Sequence, residues 1–159
     1  MAHDILDIFR MRFDSVYGFL GKAVELTPDA LWEKKIGGFF YWQQLVHVYG
    51  VIDSFCKEVD APPTQIRYDT DIIRLIKDGA TVPTKADVLD LSRQMVGTAH
   101  AFFERLTDED LLAKNSGRTQ RMGHDVTHLE ALISLIAHGM YHVGICSMEL
   151  REFGVKELP

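Results

Sequence analysis

Four stretches of this chain repeat apolar side chains at steps of three and four residues, and that period restricts the fold more than any other feature. In "DILDIFRMRFDSVYGFLGKAVEL" the apolar positions Ile5, Ile8, Phe9, Val16, Phe19, Leu20, Ala23 and Val24 form one stripe, which predicts a helix over about residues 4–25. "FFYWQQLVHVYGVIDSFCKEV" predicts a second over about residues 40–58, stopped at Ala61-Pro62-Pro63 because proline cannot continue the helical hydrogen bonds. The third opens at Thr84 and runs to about Leu106. Its Val88, Leu91, Met95, Ala99, Phe102 and Leu106 make a narrow seam of the kind that bundles bury. The fourth runs from about His128 to Phe153. Thr127 and Glu130 stand at capping-box spacing before it, and Gly154 stops it.

The connecting segments are short or polar. "LTPDALWEKK" reads as a short helix with Thr27 as cap and Pro28 at its first position, ended by Gly37-Gly38. "TDIIRLIKDG" reads as another, ended by Gly79, and "TDEDLLAKN" as an acidic helical turn. "SGRTQRMGHDV" is turn-rich and suits a small hairpin or an open loop. No stretch is a convincing strand. The expectation is an all-α chain: one domain, residues 1–159, a four-helix bundle. Roughly 25 residues join the second and third helices, too many for a simple hairpin, so a long crossover replaces a plain up-down-up-down order.

Composition narrows the function classes. Apolar residues are 47% and charged residues 25%, ordinary for a globular domain of 159 residues. The net charge is −6 and no basic run exceeds two residues, which argues against nucleic acid as a partner. No uninterrupted apolar run is long enough to span a membrane, and the first residues carry no secretory pattern, so a cytoplasmic protein is expected. The two cysteines, Cys56 and Cys146, are too few for a disulfide framework and fit a reducing compartment.

The seven histidines include two His-x3-His pairs, against about 0.3 expected from composition, so position has to separate signal from chance. His124 precedes the expected cap Thr127 and His128 follows it. That pair lacks a common helical pitch and reads as polar residues of a loop and a helix start. His138 and His142 fall mid-helix in "LIAHGMYHVG", where four residues turn the chain by about 400° and both rings leave one face. Two imidazoles among Leu135, Ile136, Met140, Tyr141, Val143 and Ile145 need hydrogen-bond partners or a metal. A metallopeptidase would need Glu directly after the first histidine, and this chain has Gly139. The best candidate for a third ligand is His47, in the apolar setting of "WQQLVHVYGV"; the alternative for it is a satisfied core residue.

His3 and His100 carry no signal. Cys146, one turn beyond His142, suits a small buried residue better than a fourth ligand, and Cys56 should face away from the site. Tyr141 and Gln44 are candidate lining residues, and no separate general base stands out. Gly50, Gly139 and Gly144 fall inside expected helices, either to make room or by simple tolerance.

"AHGMYHVGI" resembles the closing motif of the DinB/YfiT-like superfamily, in which a helix carries His-x3-His followed by Gly. "WQQLVHVYG" resembles that family's second-helix segment, and the opening helix with "LTPDALWEKK" also fits its pattern. The resemblance spans nearly the whole chain. It implies a four-helix bundle with a long crossover and a divalent metal held by three histidines, which by position are His47, His138 and His142. It also implies a homodimer, and chemistry with low-molecular-weight thiols, as S-transferases or a thiol-dependent isomerase. Many relatives read His-Arg-Gly-Gln where this chain has His142-Val143-Gly144-Ile145, and Asn where it has Ala137. Three imidazoles suit Zn, Ni, Fe or Cu. The readings that follow are a metal-dependent transferase or isomerase using a small thiol, a non-catalytic metal-binding module, or a dimerising bundle with incidental histidines.

Overall fold

A computed structural model of the protein describes residues 4–62 and 64–156. His3 lies outside them. In chain order the elements are α1 (Ile5–Leu26), α2 (Asp29–Trp32), strands β1 (Lys35–Ile36) and β2 (Phe39–Phe40), α3 (Tyr41–Gly50), α4 (Thr70–Ile73), α5 (Lys85–Phe103), α6 (Ser116–Met122) and α7 (His128–Glu152). Helix α1 packs on α7 and α5, and α3 packs on α5 and α7. This is the expected bundle of four principal helices. Residues 51–84 form the long crossover between α3 and α5, and among the described residues their helical structure is a 3-10 turn, Ile52–Ser54, and α4.

The core lies where the four helices meet. Phe13, Leu20, Leu45, Val48, Val88, Met95, Leu135 and Leu150 are wholly excluded from solvent. The seam read on α5 is buried from Val88 to Phe102, with Leu106 half-buried beyond the helix end. On α1 the stripe is shifted at its start. Leu6 and Phe13 point inward, whereas Ile5 and Ile8 are exposed, because the face that packs is the one through Leu6, Phe13, Val16, Tyr17 and Leu20. The box Thr127–Glu130 closes as expected: the Glu130 N–H donates to Thr127 Oγ1 at 3.2 Å, and the Thr127 N–H donates to Glu130 Oε2 at 2.8 Å.

Helix α3 ends about eight residues earlier than its periodicity suggests. After Gly50 the Ser54 hydroxyl donates to the Val51 carbonyl at 2.7 Å, and the Ser54 N–H donates to the same carbonyl at 3.0 Å, which tightens the chain into the 3-10 turn. Val51, Ile52, Phe55 and Cys56 are still buried, so one tight turn imitates a continuing helix. The segment 116–122 is a helix rather than a hairpin or open loop. No side chain on it is buried; it rests on Asn115, whose Oδ1 accepts the Arg118 N–H at 2.8 Å, and on Gly123 at φ 74°. Gly37 and Gly38, at φ 60° and 96°, do more than end a helix: they turn the short hairpin β1–β2. Thr27 caps nothing ahead of it, and its hydroxyl donates back to the Ala23 carbonyl at 2.6 Å. Helix α4 closes at Ile73, ahead of Gly79.

Helix α7 is long and apolar enough, by length and composition, to cross a membrane. Here it packs on α1 and α3, with His142, Cys146, Glu149 and Leu150 buried, and the Glu149 carboxylate meets Lys34 Nζ at 3.2 Å.

Candidate metal centre

His47 stands in the second turn of α3, and His138 and His142 stand one turn apart near the middle of α7. The packing of α3 on α7 brings the three rings together. Ring centroids are 5.0 Å apart for His47–His138 and His47–His142, and 4.7 Å for His138–His142. One nitrogen of each ring lies within 4.8 Å of the others, and among the described residues this is the only group of three or more His, Cys, Asp or Glu side chains so placed.

Two glycines decide how closely the supports approach. A Cβ on Gly139, beside His138, would stand 2.6 Å from Val16 Cγ1, so its absence lets α7 close on α1. A Cβ on Gly50 would stand 2.7 Å from Ile73 Cγ2. Its absence lets α4 settle on α3, which delivers the Ile73 carbonyl to His47. A Cβ on Gly144 would meet nothing within 4 Å, so this third glycine makes room for nothing.

His47 Nδ1 donates to that carbonyl at 2.6 Å. A neutral ring with its proton on Nδ1 has its lone pair on Nε2, and His47 Nε2 faces His138 Nε2 at 3.0 Å. This is the outer support that metal-binding histidines commonly have. His138 and His142 lack it, since the Nδ1 of each is buried without a hydrogen-bond partner. Burial pushes His138 down to about 4 and His142 down to about 3, with the neighbouring histidines contributing to both. Burial also lowers His47, against an opposing contribution from the Ile73 carbonyl. The set is therefore neutral near pH 7, the state a cation requires.

The donor set fits a divalent metal. Metal–nitrogen bonds of about 2.0–2.1 Å place ligand nitrogens roughly 3 to 3.5 Å apart, close to the observed 3.0 Å pair. Two half-buried rings and one fully buried one, with orphaned nitrogens and no carboxylate in the group, suit borderline or soft cations rather than Mg or Ca.

The sequence profile of the DinB superfamily matches residues 13–146. The chain belongs to the DinB superfamily. Among solved structures it is similar to a crystal structure of the DinB-like protein YjoA from Bacillus subtilis, with a TM-score of 0.66 over 95% of this chain and 94% of that one at 18% identity. At that identity the likeness establishes a shared DinB fold. No curated protein matches the chain.

Within the DinB fold the remaining candidates separate. His124 and His128, read as a loop residue and a helix-start residue, do not share a face: His124 is exposed, and His128 is held against Asn115, whose Nδ2 donates to its Nδ1 at 3.3 Å. His100 is exposed and donates to Asp14 Oδ1 at 2.6 Å. Cys146 is fully buried, and burial pushes its thiol up to about 11; Cys56 is also buried, and both are free thiols. Gln44 serves the hairpin, donating to the Ile36 carbonyl at 3.2 Å, so it does not line the site. Tyr141 does border it, edge-on to the His142 ring at 5.2 Å and largely exposed. Sequence reading missed the Ile73 carbonyl, which has no side-chain signature. It also missed Arg118 and Arg121, whose charges weigh on His138 and His47 respectively. Their spacing of three would have marked one helical face had α6 been recognised.

Proposed function

We propose that this protein holds one divalent cation, Zn, Ni or Fe, on His47, His138 and His142, and uses it with a low-molecular-weight thiol in a transfer or isomerisation reaction. The convergence of three neutral imidazoles from two helices carries the reading. When bound, such a cation lowers the pKa of a thiol or water on its open position and keeps a nucleophile available near neutral pH. The chain's own residues supply the rest. The Ile73 carbonyl holds the His47 ring in one tautomer. Gly139 brings α7 against α1, and Tyr141 stands at the exposed rim where a small molecule would enter. The histidines act as ligands, and none of them carries protons in the reaction.

A non-catalytic metal-binding module is the second reading. It is supported by the aliphatic Val143 and Ile145 beside His142, with Val143 packed against the core, and by the lack of a carboxylate among the charges acting on the three rings. The cation would then tie α3 to α7. Metal content of untagged protein by elemental mass spectrometry, beside turnover of a small thiol with an electrophile, tests both. Bound metal with turnover lost in His138→Ala supports the enzyme. Bound metal without turnover supports the module. No bound metal and no uptake of Zn or Ni defeats both.

The same proposal includes a cytoplasmic setting, where the two free cysteines stay reduced, and a homodimer. Ile133, Met140 and Met148 form an exposed apolar stripe on α7 that a second copy would cover. Sedimentation of Met140→Glu against the wild type checks this: a shift to monomer is expected.

A further inference from the structure

Beside the histidines is a cavity of about 440 Å³. It touches the proposed metal site through Gly50 and Val51, one turn beyond His47, and through Ile73, whose carbonyl accepts the His47 proton. Two arginines stand on its wall, Arg74 just after α4 and Arg121 on α6. Arg118, one turn before Arg121, lies over the Phe55 ring at 4.0 Å, and Phe55 stacks toward His138 at 6.3 Å between centroids.

Arg74 and Arg121 are exposed and Arg118 is half-buried, and among the described residues no carboxylate pairs with any of the three. The arginine ion pairs among the described residues are Arg10–Asp7, Arg67–Asp87 and Arg93–Asp90. None of them involves Arg74, Arg118 or Arg121. The three also repel one another: Arg121 weighs on Arg118, and Arg74 weighs on Arg121. The chain's net charge is −6, yet the carboxylates near this cluster have other partners. The acid on the cavity wall, Asp53, is occupied, accepting from the Thr64 hydroxyl and pairing with Lys57 at 3.8 Å. Like charges held together on a cavity wall are what an oxyanion would complete.

We infer that this cavity binds the oxyanion group, carboxylate or phosphate, of a small ligand whose other end addresses the three histidines. The inference deepens the thiol-transfer reading by naming an anionic substrate class, and rests on that reading for what happens at the histidines. Arg74 and Arg121 anchor the anion, and Arg118 extends the positive field toward His138. Neutral thiols and neutral electrophiles would forgo this anchor.

The test titrates inorganic phosphate and succinate, by calorimetry, into metal-loaded and metal-free protein. It compares wild type, Arg74→Gln, Arg121→Gln, the double variant, and Arg12→Gln on the exposed face of α1 as control. Each lost charge-assisted contact should weaken binding about tenfold or more, and the double variant about a hundredfold. Arg12→Gln should bind as wild type does, and metal content should stay unchanged throughout. Tighter phosphate binding points to a phosphorylated ligand, and tighter succinate binding to a carboxylate; both support the site. No saturable binding of either anion, or equal weakening in Arg12→Gln, overturns it. Should a variant misfold, the wild type still decides: the Nε–H resonances of Arg74 and Arg121 must shift on phosphate addition, and a shift confined to other arginines overturns the assignment. A chain that takes up no metal yet binds phosphate through these two arginines would sink the metal reading and leave the anion site standing.

Discussion

His138 and His142 lie within one helix, whereas His124 and His128 straddle the start of that same helix, with Thr127 as the boundary. Both pairs have the same spacing in the chain. The first presents two rings on one face to His47 across the bundle and leaves two buried nitrogens without partners. The second splits: His124 is exposed beyond Gly123, and His128 is buried and satisfied by Asn115. A spacing of four becomes a ligand pair only when the helix is continuous between its members and a third donor faces it. A buried polar ring that already has its hydrogen bond is structure, and one without it asks for a ligand.

The comparison is broken most severely by removing single rings. His47→Ala, His138→Ala and His142→Ala should each lose bound metal, with affinity down roughly a hundredfold or more on loss of one of three donors. His124→Ala should keep the wild-type stoichiometry; elemental analysis of untagged proteins reads both. Retention of full metal content in His142→Ala would dissolve the contrast. Next comes the cation itself. At a hundredfold excess over its dissociation constant it should contribute about 2.7 kcal/mol, so chelation should lower the melting temperature of wild type by roughly 5–10 °C and leave the His47→Ala variant unmoved.

The second pair's surroundings are tested through Asn115, which caps α6 and donates to His128 and to the Phe55 carbonyl. Asn115→Ala should cost about 2 kcal/mol in denaturant unfolding while metal stoichiometry is unchanged. Acid sharpens the distinction differently. In metal-free protein His138 and His142 stay neutral down to about 4 and about 3, while the unfolded chain protonates both near the ordinary 6.5. The unfolded state therefore binds more protons in that window, and stability should fall as pH drops from 6.5 toward 4. A His138→Gln/His142→Gln double variant should flatten that slope, measured by urea unfolding across pH.

The last pair of effects concerns the glycines beside the ligand pair, and the smaller is at Gly144. Gly144→Ala has open space and should stabilise α7 by about 0.5–1 kcal/mol. Gly139→Ala meets Val16 and should destabilise by an amount of about 1–3 kcal/mol that offsets this gain in a double variant. Thermal melts of the two, side by side, separate room from tolerance.

The amino-acid order alone determined the helical class, the bundle, the seam from Val88 to Phe102, the cap at Thr127 and the three histidines worth pursuing. Those signals are local: a periodic stripe or a cap involves residues within one or two helical turns. Tertiary structure decided the rest. It stopped α3 at Gly50, where Ile73 packs, and set on His47 a carbonyl from 26 residues away. It capped the first N–H groups of α1 with Asp108, over a hundred residues on, and gathered Arg74, Arg118 and Arg121 from two separate segments. Such partners are backbone atoms or charges distant along the chain, and no neighbouring residue records their approach before the helices pack.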